Sequence, residues 1–167
     1  LRLGQPQRAN DLLAIYMSDR RPAGWNAWAE VVGREPRAIR FLGDLPHAWV
    51  ASDYIRAALD LFAYEDKASE TLVLGAGMTG DWLSGQGVHI EGLRTSHGAL
   101  NLAMAGSADR MTVTIGGDAR PTGGFVLRWP FAGTPPATRI NGRAAQWRDG
   151  ALHLPATGQP QRIAIGR

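Results

Sequence analysis

Apolar positions repeat with two different periods along this 167-residue chain, and the change comes near residue 66. Early on, Ala9, Leu12, Leu13, Tyr16 and Met17 recur at steps of three and four, the spacing of one helical face. This predicts a helix over residues 7–19, ended by the Arg20-Arg21 pair and Pro22. A second helix is predicted over residues 44–65, where Val50, Tyr54, Ile55, Ala58, Leu59 and Phe62 repeat at the same steps. Asp44 reads as its N-cap, and Pro46 falls in the first turn, where a missing N–H costs nothing. Between the helices lies a long connection, "GWNAWAEVVGREPRAIRFLG", of the kind that often carries function.

Beyond "EDKASE" the period becomes alternating. "TLVLGA", "GVHIEGL", "GALNLAMA", "RMTVTIGG", "GFVLRWP", "ATRING", "AAQWRD", "ALHLPA" and "QRIAIG" read as short strands punctuated by Gly, Pro, Asn or Asp. "INGR" and "RDGA" are hairpin-type turns, because Asn-Gly and Asp-Gly tolerate positive φ. Eight or nine short antiparallel strands in the remaining residues 66–167 predict a β-sandwich. The expected fold is therefore α+β: a helical segment, residues 1–65, followed by an antiparallel β-sandwich, residues 66–167. Two helices and a loop do not bury two apolar faces by themselves. They either pack on the sandwich or end a larger helical domain.

Composition narrows the classes of function. Hydrophobic residues make up 44% and charged residues 20%, the balance of a folded protein. The sequence pI is about 9.9 although the net charge is only +3, since 17 of the 18 basic residues are arginines that do not titrate away. Residues 1–65 carry eight basic and eight acidic side chains, and residues 66–167 carry ten and seven. No basic face is clustered as nucleic acid binding requires, so no nucleic-acid partner is expected. No run is long and apolar enough for a membrane helix, and no membrane partner is expected. Without cysteine there are neither disulfides nor thiolate metal sites. His89, His97 and His153 lie in separate strands, and neither a metal nor any other cofactor is expected. Ser96-His97 has no partner acid in sequence that would suggest a triad. "GAGMTGDW" lacks the Gly-Lys-Ser/Thr ending of a phosphate loop. The chain opens with Leu1, and the expectation is a processed chain or a piece of something longer.

The candidate chemistry sits in the long connection. Glu30 follows "GWNAWA", and tryptophan rings beside a carboxyl supply both an apolar wall and a surface for sugar stacking. Asp44 and His47 stand where free N–H groups of a helix start favour anions or hydroxyls. Plainer readings stay open: Glu30 as a solvated loop acid, the tryptophans as plugs between helices, Asp44 as a cap and His47 as a packing residue. Trp82, Trp129 and Trp147 form a sugar platform, or fill the core of the sandwich or an interface.

The run from "GWNAWAEVV" through "GDLPHAWVASDYIRAALDLFAYE" into a β-sandwich resembles the C-terminal end of six-hairpin (α/α)6 glycoside hydrolases such as glucoamylases and α-L-rhamnosidases. Trp28-Ala29-Glu30 is similar to the family's late glutamate element, and Pro46-His47-Ala48-Trp49 to the element that opens the last barrel helix. Ala29 stands where a rhamnosidase usually shows tryptophan. The resemblance implies an inverting hydrolysis with Glu30 as general base and Trp25, Trp28, His47, Trp49 and Asp44 around the sugar. It also implies a general acid on an earlier hairpin, about 6.5–9.5 Å from the base. The chain is then a C-terminal fragment of a carbohydrate-active enzyme, inactive alone, whose partners are carbohydrate and the rest of the parent barrel, or a second copy through self-association. A periplasmic or secreted bacterial-type parent fits better than a cytoplasmic one. The alternative is a non-catalytic carbohydrate-binding or structural β-sandwich module.

Overall fold

Proline at the first position and the three-to-four spacing start helix α1 at Pro6, and it runs to Ser18. It stops because the Asp19 N–H turns back to the carbonyls of Ile15 and Tyr16 while the Asp19 side chain goes inward. Helix α2, Ala48–Phe62, starts four residues later than the sequence suggests. Asp44 is not its cap, and Pro46 lies outside it. His47 takes the capping place instead: its Nδ1 accepts the Val50 N–H at 3.4 Å. The computed structural model describes residues 1–166 and separates into two compact units, Leu1–Asp60 and Leu61 onward.

The first unit has almost no apolar core. Of residues 1–60, only Asp19, Trp28 and Ala29 are buried. Among the described residues, the large apolar side chains most open to solvent all belong to this unit, with Ile39 fully exposed and Leu3, Phe41 and Trp49 more than three-quarters exposed. Residues 19–47, between the helices, contain neither helix nor strand.

The second unit is built from two sheets. Strand β1, Ala63–Asp66, corrects the expectation of helix through residue 65, since "AYED" pairs antiparallel with β2, Thr71–Leu74. A one-turn helix, α3, Gly80–Leu83, interrupts the glycine-rich "GAGMTGDW". Eight strands complete the unit among the described residues: β3 Val88–Thr95, β4 Gly98–Gly106, β5 Arg110–Gly117, β6 Phe125–Arg128, β7 Thr138–Ile140, β8 Arg143–Ala145, β9 Ala151–Leu154 and β10 Gln161–Gly166. They form a four-stranded sheet in the order β1-β2-β6-β9 and a six-stranded sheet in the order β3-β4-β5-β10-β7-β8. Pairing is antiparallel except between β2 and β6, which run parallel. The architecture is α+β, a helical segment and a sandwich of mostly antiparallel sheets.

The alternating pattern decides which face of the large sheet is core. On β4, Leu100, Leu102 and Met104 are buried while Asn101 and Ala103 are exposed, and on β5 Met111, Val113 and Ile115 are buried. Register places Leu102 opposite Ile115, Met104 opposite Val113, and Ile163 of β10 opposite Val113 from the other side, so one face carries a continuous apolar ladder. In the smaller sheet β2 and the residues Phe125–Leu127 of β6 are buried along their length, without alternation, as strands covered on both faces are. The two hairpin turns are where the dipeptides put them: Asn141 and Gly142 have φ of 48° and 82°, Asp149 and Gly150 of 50° and 70°.

Candidate functional site

A segment of 29 residues with no regular secondary structure has many main-chain carbonyls to satisfy. Main-chain N–H groups satisfy several of them, and arginine side chains reach those of Val31, Glu35 and Ala38. Asp19 is fully buried at the end of α1, and its Oδ2 accepts Arg40 Nη2 at 2.7 Å. Its Oδ1 accepts the Arg37 main-chain N–H at 2.7 Å and Arg21 Nη2 at 3.3 Å. From that hub the guanidinium groups reach outward. Arg21 Nη2 donates to Ala38 O (3.0 Å), Arg37 Nη1 to Ser18 O (2.8 Å), and Arg40 to Glu35 O and Val31 O (both 3.3 Å). Arg20 adds a bond from Nε to Met17 O. Arg37 holds a φ of 55°, unusual for a side-chain-bearing residue, and is fixed there through both its N–H and its guanidinium.

Trp28 is the second fixed point. It is only 4% exposed, its ring stacks on Tyr54 of α2 at 4.7 Å, and its Nε1 donates to Tyr16 O of α1 at 2.7 Å. One side chain thus ties both helices to the connection. The sequence expectation set Trp28 against a sugar; in the structure its ring packs on Tyr54. Trp28→Ala removes the largest buried side chain of the unit and is expected to cost about 3–5 kcal/mol. Trp28→Phe keeps a ring on Tyr54, loses the Tyr16 bond and costs about 1 kcal/mol. Thermal unfolding followed through the helical circular dichroism signal checks this order, and a Trp28→Ala chain melting with the native one would refute it.

From Trp28 onward the connection folds against the approach to α2. His47 N–H donates to Trp28 O (2.8 Å), Glu30 N–H to Asp44 O (2.9 Å), and Val31 N–H to Leu42 O (3.0 Å). The two quoted sequence elements, Trp28-Ala29-Glu30 and Pro46-His47-Ala48-Trp49, therefore lie side by side. Ala29, between Trp28 and Glu30 in the chain, is completely buried, whereas Glu30 is exposed. The Glu30 carboxylate accepts the Asp44 main-chain N–H through Oε2 at 3.3 Å. Asp44 is exposed, His47 half-buried, and Trp25 and Trp49 are exposed. The His47 ring meets that of Trp49 edge-on, with centroids 6.0 Å apart. The structure thus brings Glu30, Asp44 and His47 together through main-chain bonds and leaves the rings of Trp25 and Trp49 open to solvent.

The other sequence candidates are placed in the sandwich. Trp129 packs edge-on against Phe131 (5.1 Å) and Trp147 (5.6 Å), and Trp147 Nε1 donates to Thr138 Oγ1 at 2.8 Å. These rings fill one another's edges instead of lining up as a flat platform. Trp82 on α3 is 42% exposed. Among the described residues no three His, Asp or Glu side chains gather in a way that would hold a metal ion, and no helix is long and apolar enough to cross a membrane. The residues that sequence reasoning missed are Asp19 and its arginines. Their only signal was an unusual frequency, five arginines between residues 20 and 40 of a chain segment whose net charge is balanced. Comparison with family models, curated proteins and solved structures gives no match.

Proposed function

We propose that residues 1–60 close the substrate-binding side of a carbohydrate-active glycoside hydrolase of the inverting type, with Glu30 as the general base. The observation that carries this reading is the main-chain pairing of residues 28–31 with residues 42–47, which holds an exposed carboxylate beside Asp44 and the half-buried His47. A general base needs a fixed direction as well as a free oxygen. Glu30 Oε2 is anchored on the Asp44 N–H, which leaves Oε1 to take a proton from water. Exposed indoles of Trp25 and Trp49 offer the apolar faces against which sugar rings stack, and His47 supplies a hydrogen bond to a hydroxyl. The general acid comes from another part of the enzyme, on helical hairpins that would also cover the apolar side chains of α1 and α2.

The test is Glu30→Gln in the intact hydrolase. Loss of general base catalysis lowers kcat by about 10²–10⁴-fold, with KM little changed because the amide keeps the shape of the carboxylate. Proton NMR of the first product anomer checks inversion. Full activity in Glu30→Gln, or a retained anomer, would remove Glu30 from this role.

A further inference from the structure

Glu30 is seated by a glycine. Residues 30–31 pair with residues 42–44 through the main chain, two residues against three, and the extra residue is Gly43 with φ of +66°. A φ in the left-handed region is adopted by glycine without steric cost. The side chain lying over Gly43 is that of Glu30. A Cβ at position 43 would stand 2.7 Å from Glu30 Cβ and 2.9 Å from its Cδ, and closer still to Oε2. The carboxylate end is flexible and could swing aside. Glu30 Cβ could not, because it moves only with the main chain that donates to Asp44 O.

We propose that Gly43 is the positioning residue for Glu30: the missing side chain makes the space in which the carboxylate lies against the Asp44 N–H. This rests on Glu30 being the functional acid of the site, but the geometry is testable apart from the chemistry. The requirement at position 43 has two components, tolerance of a positive φ and room for the Glu30 side chain, and they can be separated. Asparagine enters the left-handed region far more readily than alanine, so Gly43→Asn mainly tests the room.

The experiment is amide hydrogen exchange on the 167-residue chain carrying Gly43→Asn, Glu30→Gly, or both. In Gly43→Asn the amides of Glu30 and Val31, which donate to Asp44 O and Leu42 O on either side of Gly43, are expected to exchange at least tenfold faster. The Trp28 indole, bonded to Tyr16 O, serves as the sign that the unit is still folded. In the double variant, where the colliding Cβ and carboxylate are both gone, exchange at Val31 is expected to return to the rate of Glu30→Gly alone. Equal acceleration by Gly43→Asn in both backgrounds would overturn the proposal, since position 43 would then serve only the backbone. Unchanged exchange in the single variant would overturn it as well. If Gly43→Asn loses the indole protection, the same comparison is made with Gly43→Ala, whose smaller side chain presents the same Cβ. Turnover by the intact hydrolase reports separately on Glu30 as base: a seated carboxylate with no role in catalysis leaves this inference standing and removes the other.

Discussion

Asp19→Ala is expected to release the whole connection between α1 and α2. The carboxylate is fully buried and accepts from Arg21, Arg40 and the Arg37 N–H. Removing one partner of a buried charge cluster leaves the others desolvated and uncompensated, at a cost of about 3–5 kcal/mol. The Nε atoms of Arg21 and Arg40 are already buried without hydrogen-bond partners, and without Asp19 these guanidinium groups keep only main-chain carbonyls, with no opposite charge. With Asp19 gone they turn to water, and the carbonyls of Val31, Glu35 and Ala38 lose their donors with them. Tryptic cleavage after Arg40, half-buried in the native chain, reads the opening directly. At roughly tenfold per 1.4 kcal/mol, the cleavage rate in Asp19→Ala should rise by about a hundredfold or more. Asp19→Asn should fall between the two, because its Oδ1 still accepts the Arg37 N–H but no charge faces Arg40. Native-like resistance in Asp19→Ala would show that the hub does not hold the connection.

The second large effect is expected in the sandwich, at Ile163→Ala. Ile163 is fully buried on β10, opposite Val113 of β5 and Ile140 of β7, so it contacts the apolar ladder from the middle of the six-stranded sheet. Its truncation loses the transfer energy of the removed carbons and leaves a cavity that two flanking strands cannot easily fill, together about 2–5 kcal/mol. For a unit of this size each kcal/mol lowers Tm by about 4–8 °C. Its neighbour Ala164 faces outward on the same strand, and Ala164→Val should move Tm very little, within about 0.5 kcal/mol. Calorimetry on the pair of variants measures the contrast. Similar small shifts for both would mean that the register does not make this face the core.

Much of this fold was legible because periodicity is a local property. Ala9 to Met17 and Val50 to Phe62 each lie on one helical face whatever surrounds them, and the alternation of Leu100, Leu102 and Met104 with Asn101 and Ala103 marks a half-buried strand by itself. Asn141-Gly142 and Asp149-Gly150 adopt positive φ because of their own side chains. Local signals failed at boundaries where a distant partner competes. "AYED" continues the helical pattern of α2, yet Ala63 to Asp66 become a strand because Leu74 to Thr71 offer a ladder that the helix does not. Asp44 has the chemistry of an N-cap, but its main chain is engaged with Glu30, and the helix begins only at Ala48.

At the candidate site the division is sharper. The sequence alone marked Glu30, Asp44, His47 and the neighbouring tryptophans, since an acid among aromatic residues in a long connection is visible in one dimension. Only the tertiary structure separated those tryptophans, burying Trp28 on Tyr54 while leaving Trp25 and Trp49 in solvent. It also decided that Asp19, an ordinary residue at a helix end, is the anchor of the connection, and that Gly43 lies beneath the Glu30 side chain. Hydrophobic period and turn chemistry are set by residues within a few positions of one another. Which carboxylate is buried, and which glycine must stay bare, depends on groups 13 to 21 residues away that meet only when the chain folds.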